Sequence, residues 1–169
     1  MQDSRLPHNI FMSIMAIAVA MAVSDYSRVP DRVASHFSLS GAANGWMSKP
    51  AYFGFYAAMI GLAFVVEFLV PRSVAKAKAS RINLPNKEYW LAPSRQERTR
   101  SYLKRHFAWY GCAFLLLEVC AMEMATRANL KAQPELSIGP VFFLLGGFLL
   151  YNVFWMARMF RRFSRTGAN

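Results

Sequence analysis

Four long apolar blocks, residues 6–23, 51–70, 107–125 and 138–157, fix most of what this chain can become. A helix rises about 1.5 Å per residue, so about 20 apolar residues cross a hydrocarbon core of about 30 Å. The second, third and fourth blocks meet that length, and none contains Lys, Arg or Asp. Lipid offers no water to backbone polar groups, and a helix satisfies them within one segment. The sequence therefore predicts an all-α integral membrane protein, a single four-span domain over residues 1–169. The first block is shorter in its most apolar part, 10–23. Arg5, an apolar run and Ala20-Met21-Ala22 fit a cleavable secretory signal as well as a retained span.

The chain is 55% hydrophobic and yet carries a net charge of +11. A soluble domain would interleave the two classes, whereas here they are segregated. Most Lys and Arg fall between 72 and 105, after 157, and at Arg5; the other connectors hold only Arg28, Arg32, Lys49, Arg127 and Lys131. Basic residues accumulate on the cytoplasmic side of membrane proteins. Both termini and the 71–106 loop are thus expected in the cytoplasm, and the 24–50 loop outside. The positive charge reads as a topology signal and a grip on anionic phospholipid headgroups of the bilayer. No nucleic-acid partner is expected. Cys112 and Cys120 share one helix about 12 Å apart along its axis, too far to bridge. They read as small buried hydrophobes.

The 24–50 loop has its own pattern. Val33, Phe37 and Leu39 alternate with Ala34, His36, Ser38 and Ser40, as in a half-buried strand. Gly41 and the Asn44-Gly45 pair supply a reversal, since Asn-Gly favours a tight hairpin turn. Trp46 then returns the chain to the membrane surface, which predicts an external hairpin-like cap.

On the other side, Pro71 is expected to end the second span. Asn83-Leu84-Pro85-Asn86 reads as a turn, and Tyr89-Trp90-Leu91 suits a membrane–water boundary. Ser94-x-x-Glu97 has capping-box spacing, so a helix is expected to start near Ser94 and run into the third span. Its long basic side chains can snorkel to the headgroups. The bland reading is an amphipathic elbow at the interface. The sharper one is a docking site using Asn83, Pro85, Tyr89, Trp90, Arg95 and Arg98. Gly54, Ala58 and Gly61 share one face of the second span, and Gly146-Gly147 lie in the fourth. Small residues let helices approach closely in lipid, so helix packing is expected at both.

Little in the sequence carries chemistry. His36 has no HxxxH, CxxC or His/Cys cluster around it, so no metal or cofactor is expected, and a hydrogen-bonded structural role suffices. There is no nucleophile elbow and no phosphate-binding glycine loop, so no catalytic residue and no enzyme is predicted. The embedded acids are more informative. Glu118 lies near the middle of the third span, Glu123 nearer its outer end, and Glu67 one turn before the second span ends. A charge at bilayer centre costs about 2.5–3.5 kcal/mol on insertion scales. Such a residue faces other helices, is protonated, or lines a wet cavity; Asn152 in the fourth span is available to share a hydrogen bond. An interhelical hydrogen bond and a proton-linked cavity are the two readings. Glu123, five residues beyond Glu118, points elsewhere, and Glu67 is within reach of the headgroups.

Two motifs carry a resemblance. Val29-Pro30-x-x-Val33-x-x-His36-Phe37, then Gly41-x-x-x-Gly45-Trp46-x-x-Lys49, resembles the external motif of a family of small bacterial multi-pass membrane proteins with the domain of unknown function 1648. That domain also forms the N-terminal part of SdpI-type immunity proteins. Asn83-Leu84-Pro85-Asn86-Lys87-x-Tyr89-Trp90-Leu91-Ala92-Pro93, with Arg95 and Arg98, looks like the family's cytoplasmic signature, and Arg127-Ala128-Asn129-Leu130 fits too. The resemblance covers most of the chain. It implies a non-enzymatic protein of the bacterial inner membrane. SdpI-type relatives protect cells from a secreted peptide toxin and relay its presence to a cytoplasmic repressor; they carry an additional C-terminal membrane region without a counterpart here. The expected function is recognition of an extracellular peptide, lipid or partner at His36, Phe37, Trp46 and Lys49, with the elbow passing on or stabilising that state. An accessory subunit of a larger membrane complex is the rival, and a small transporter using Glu118 a lesser one.

Overall fold

The computed structural model describes residues 5–166. Helix α1 (Leu6–Tyr26) leads into an antiparallel hairpin of β1 (Arg32–Phe37) and β2 (Ala43–Ser48). A long helix follows over Lys49–Lys76, made of α2 (Lys49–Phe64), a π turn (Val65–Leu69) and α3 (Val70–Lys76). A 3-10 turn (Ala79–Arg81) and the short α4 (Lys87–Trp90) form the elbow before α5 (Gln96–Asn129) and α6 (Ile138–Ser164). Four helices, α1, Lys49–Lys76, α5 and α6, are long and apolar enough to cross a membrane.

The central rod is α5, whose 34 residues give a length of about 51 Å. Packed along it are α1, α2, α3 and α6. Phe11 and Ala18 of α1, Tyr56 and Ala63 of α2, and Cys112, Leu115 and Val119 of α5 form the main core. A second cluster joins Ile82, Leu84 and Leu91 of the elbow to Tyr102, Leu103 and Phe163 at the basic end. Val29, Val33 and Tyr52 form a third beneath the hairpin.

Several boundaries depart from the sequence expectation. All four long helices run past their apolar blocks, α6 as far as Ser164, because charged and polar residues extend them beyond the apolar runs. Pro71 does not end the second helix. A proline inside an α-helix lacks the N–H for the carbonyl four residues back and its ring crowds that carbonyl, here Glu67's. The π turn just before it widens the helix, with Val70 N–H bonded to the Val65 carbonyl, and the helix continues. It stops where Ala77 turns extended. Arg100 donates from Nη1 to the carbonyls of Val74 (3.1 Å) and Ala75 (2.8 Å), satisfying that end.

The capping box does not form. Arg95 occupies the N-cap of α5 without a side-chain hydrogen bond, and Thr99 Oγ1 instead donates to the Trp90 carbonyl at 2.8 Å. The start of α5 is therefore stapled to the elbow. The small-residue faces also behave differently from expectation: a Cβ on Gly54, Gly61, Gly146 or Gly147 would meet nothing within 4 Å. Tyr52, Tyr56 and Ala63 fill the other side of α2 and turn it to the core, which leaves Gly54, Ala58 and Gly61 exposed. The close approach falls on Gly111 of α5, where a Cβ would come within 2.9 Å of Glu67 Cβ and 3.0 Å of its Cα. Cys112 and Cys120 are both free thiols, the first buried.

The hairpin forms, but its reversal is not at Asn44-Gly45. Those residues lie within β2, with Gly45 opposite His36. A Cβ on Gly45 would stand 2.9 Å from His36 Cβ, so the glycine is required by close cross-strand packing rather than by a turn. The chain reverses over 38–42, closed by Ser38 N–H to Ala42 O and Gly41 N–H to Ser38 O, both 2.9 Å. Gly41 takes φ +88° there, a left-handed conformation that suits glycine. Register irregularities flank His36 on both sides and twist the strand at that point.

Candidate functional site

The hairpin is held from below by one side chain. Asn129, in the last turn of α5, accepts from Ala34 N–H at Oδ1 (2.7 Å) and donates from Nδ2 to Ala34 O (3.0 Å). The same Nδ2 donates to Ala125 O at 2.9 Å, which fixes the amide's orientation. Ala34 and Asn129 are both buried. An antiparallel ladder leaves alternate N–H and C=O pairs on its open edge, and Asn129 supplies there what a third strand would. Leu136 N–H to Gly41 O (2.9 Å) fastens the reversal to the connector before α6. Beneath, Tyr52 and Thr126 share a hydroxyl hydrogen bond of 3.1 Å.

On this base the predicted surface residues divide. His36 is exposed, its Nδ1 3.1 Å from Ser35 Oγ. Trp46 is 42% exposed, with the Arg32 guanidinium 5.2 Å from its ring centroid, and Leu39 at the reversal is 84% exposed. Phe37 is half-buried at the strand end. Lys49 is engaged internally: Nζ lies 3.1 Å from Asp31 Oδ1 and 5.5 Å from the Tyr26 ring. Thus His36, Trp46 and the unpredicted Leu39 share the outward hairpin, while Lys49 ties strand to helix. Asn129 was visible in sequence only as part of the Arg127–Leu130 match.

At the opposite, basic end the elbow grips α6. Asn86, in the left-handed region at φ 51°, donates from Nδ2 to the carbonyls of Phe163 (3.0 Å) and Ser164 (3.2 Å). Trp90 Nε1 donates to Phe163 O at 3.0 Å. The last carbonyls of a helix lack intrahelical donors, so these two side chains finish α6. Arg95 lies 4.0 Å from the Tyr89 ring and Arg162 4.0 Å from the Tyr102 ring. Pro85 is half-buried, and Asn83 and Arg98 face outward. The elbow's aliphatic side chains Ile82, Leu84 and Leu91 are buried against α5 and α6.

The acids separate sharply. Glu67 is only 3% exposed, so it does not reach the headgroup level freely as its position near the span's end implied. The π turn directs it inward against Gly111, with His8 Nδ1 3.5 Å from its Oε1. Glu118 is buried too, and neither carboxylate finds a hydrogen-bond partner among the described residues. Glu123 pairs with Arg127 one turn on. Asn152 does not reach an acid: its Nδ2 donates to Phe148 O of its own helix at 2.7 Å. Asp25, at the end of α1, is buried and pairs with Arg28 at 3.2 Å.

Among the described residues, two clefts open between the long helices at the basic end. One, about 520 Å³, lies between α1, the π turn and α5, with His8, Glu67, Arg72 and Lys104 in its lining. The other, about 440 Å³, lies between the start of α1, α5 and α6. Among the described residues, no three His, Cys, Asp or Glu side chains come together as a metal site.

These features define a multi-pass membrane protein: four apolar helices, a clamped hairpin at one end and a basic, aromatic elbow at the other. Residues 13–60 match the family model described as Domain of unknown function (DUF1648). The match takes in most of α1, the whole hairpin and the first turns of α2. No curated protein and no solved structure matches the chain.

Proposed function

We propose that this protein is a non-enzymatic recognition protein of a bacterial cytoplasmic membrane. Its hairpin faces outward from the cell and both termini lie inside. The hairpin receives an extracellular peptide, lipid or partner on the His36, Leu39 and Trp46 surface. One observation carries this reading. Asn129 fixes the strand from below while large apolar side chains stay turned out from it. Exposed apolar groups on a rigid support mark contact surfaces, and a preformed surface loses little entropy on binding. The family match is centred on the same hairpin. The accumulation of Lys and Arg at the other end supports the orientation. The resemblance of the Val29–Lys49 motif to SdpI-type immunity proteins suggests a peptide as the ligand class. In this reading the elbow, with Tyr89, Trp90 and Arg95, stabilises the inner end.

Two probes test it. A thiol at Ser40→Cys should be labelled in intact cells by an impermeant reagent, and one at Ser94→Cys only after lysis. A photo-reactive amino acid at Trp46 should then give a discrete adduct that weakens with His36→Ala. Reversed labelling, or no discrete adduct at position 46 that depends on His36, would refute the proposal.

A second reading, an accessory subunit of a larger membrane complex, is favoured by the uncovered Gly54, Ala58 and Gly61 face. Co-purification from native membranes in mild detergent separates the two, since a receptor comes off alone. A transporter using Glu118 has in its favour the buried, unpartnered carboxylate. Loss of a measurable flux in Glu118→Gln with the fold intact would favour it.

A further inference from the structure

We propose that the cleft between α5 and α6 is a binding site for a single phospholipid of net negative charge, with the phosphodiester at its mouth. The cleft measures about 440 Å³, and Leu6 and Pro7 of α1 line it as well. Its walls change character in tiers. In the deepest tier, Tyr151 OH donates to Trp109 O at 3.2 Å. One turn outward, Trp155 stacks on His106 with ring centroids 4.4 Å apart, and its Nε1 donates to His106 O at 3.0 Å. Arg105, beside His106, and Arg158, about one turn beyond Trp155, are the cationic residues of the lining. Each wall is a stripe at i, i+3, i+4 and i+7, from Tyr102 to Trp109 on α5 and from Tyr151 to Arg158 on α6, so both helices commit one face to the cleft. Apolar and aromatic depth beneath a cationic rim is the polarity profile of a membrane amphiphile.

Charge and hydrogen bonding narrow the ligand. Neither Arg105 nor Arg158 has an ion-pair partner among the described residues. Guanidinium groups bind phosphate oxygens in a two-pronged, charge-assisted manner. Among the described residues no Asp or Glu lines the cleft, so none of them balances the ammonium of a zwitterionic headgroup. The mouth sits where the apolar block of α5 begins, at Phe107, which is the depth at which headgroups lie. A volume of this size takes a headgroup and glycerol backbone. The acyl chains continue into the bilayer along α6, where Phe154 is 57% exposed.

The test uses the full chain purified in a neutral detergent and titrated with three probes. Dioctanoyl phosphatidylglycerol should bind saturably at one site. Dioctanoyl phosphatidylcholine, with the same tails and no net charge, should bind about tenfold more weakly or less, the scale of losing charge-assisted contacts. Glycerol phosphate, a headgroup without tails, should not compete at equal concentration. Arg105→Gln with Arg158→Gln should lower phosphatidylglycerol affinity by about tenfold or more, whereas Lys78→Gln with Arg81→Gln, an equal charge loss outside the cleft, should not. Equal binding of the two lipids overturns the proposal, and so does equal loss in both charge variants. Tight binding of glycerol phosphate alone would make this a free-phosphate site and overturn it as well. The comparison of probes on the wild-type chain needs no variant to fold.

Discussion

Replacing Asn129 by alanine should open the hairpin while leaving the helices in place. The substitution removes the acceptor for Ala34 N–H and the donor for Ala34 O, both in buried surroundings. A buried backbone group left unpaired costs about 1–3 kcal/mol, so the two together cost about 2–6 kcal/mol. Water reaches an opened edge, which places the loss toward the lower half, about 3 kcal/mol. Local opening then becomes about a hundredfold more frequent. Hydrogen–deuterium exchange of the protein in lipid nanodiscs should show this at residues 33–37 and 43–48, with the main core of α1, α2 and α5 unchanged. Asn129→Asp sharpens the test. Aspartate keeps an acceptor for Ala34 N–H but presents oxygen to the carbonyls of Ala34 and Ala125, so it should fail about as badly as alanine. Exchange within threefold of wild type in both variants would show that the clamp does not hold the strand.

Other outcomes follow from the same geometry. Gly111→Val forces a branched side chain against the Glu67 backbone and should destabilise by about 1–3 kcal/mol, read from thermal unfolding in detergent. Trp90→Phe and Asn86→Ala each remove donors to the end of α6, at about 1 kcal/mol apiece. Faster proteolysis after Phe160 is the measurement, with unchanged cleavage counting against the capping role. Gly45→Ala should displace His36 and weaken any adduct formed at the hairpin more than Gly54→Ala, whose position is open. Equal effects of the two would deny the close cross-strand contact.

The spans were legible because crossing a bilayer demands only length and apolar composition, and both are written along the chain. The hairpin was legible from its alternation, and Gly41 marked its reversal, but the Asn44-Gly45 pair did not belong to it. Asn44-Gly45 has strong local turn chemistry, and packing against His36 overrode it. Pro71 misled for a related reason, since a π turn absorbs what an α turn rejects. The paired ends of the molecule were out of reach of any local pattern. Ala34 and Asn129 stand 95 residues apart, and Asn86 and Phe163 stand 77 apart. Within the elbow, Trp90 turns its indole N–H to the Phe163 carbonyl, a contact that no local pattern announces.

One consequence lies in the unbroken length of α5. Its first turns are fastened to the elbow through Thr99 and to the end of α3 through Arg100, and its last residue holds the hairpin. No proline interrupts it between those fastenings. A stiff strut anchored at both ends cannot tilt or slide at one surface without doing so at the other. A bilayer that grows thicker or thinner therefore acts on the two surfaces at once.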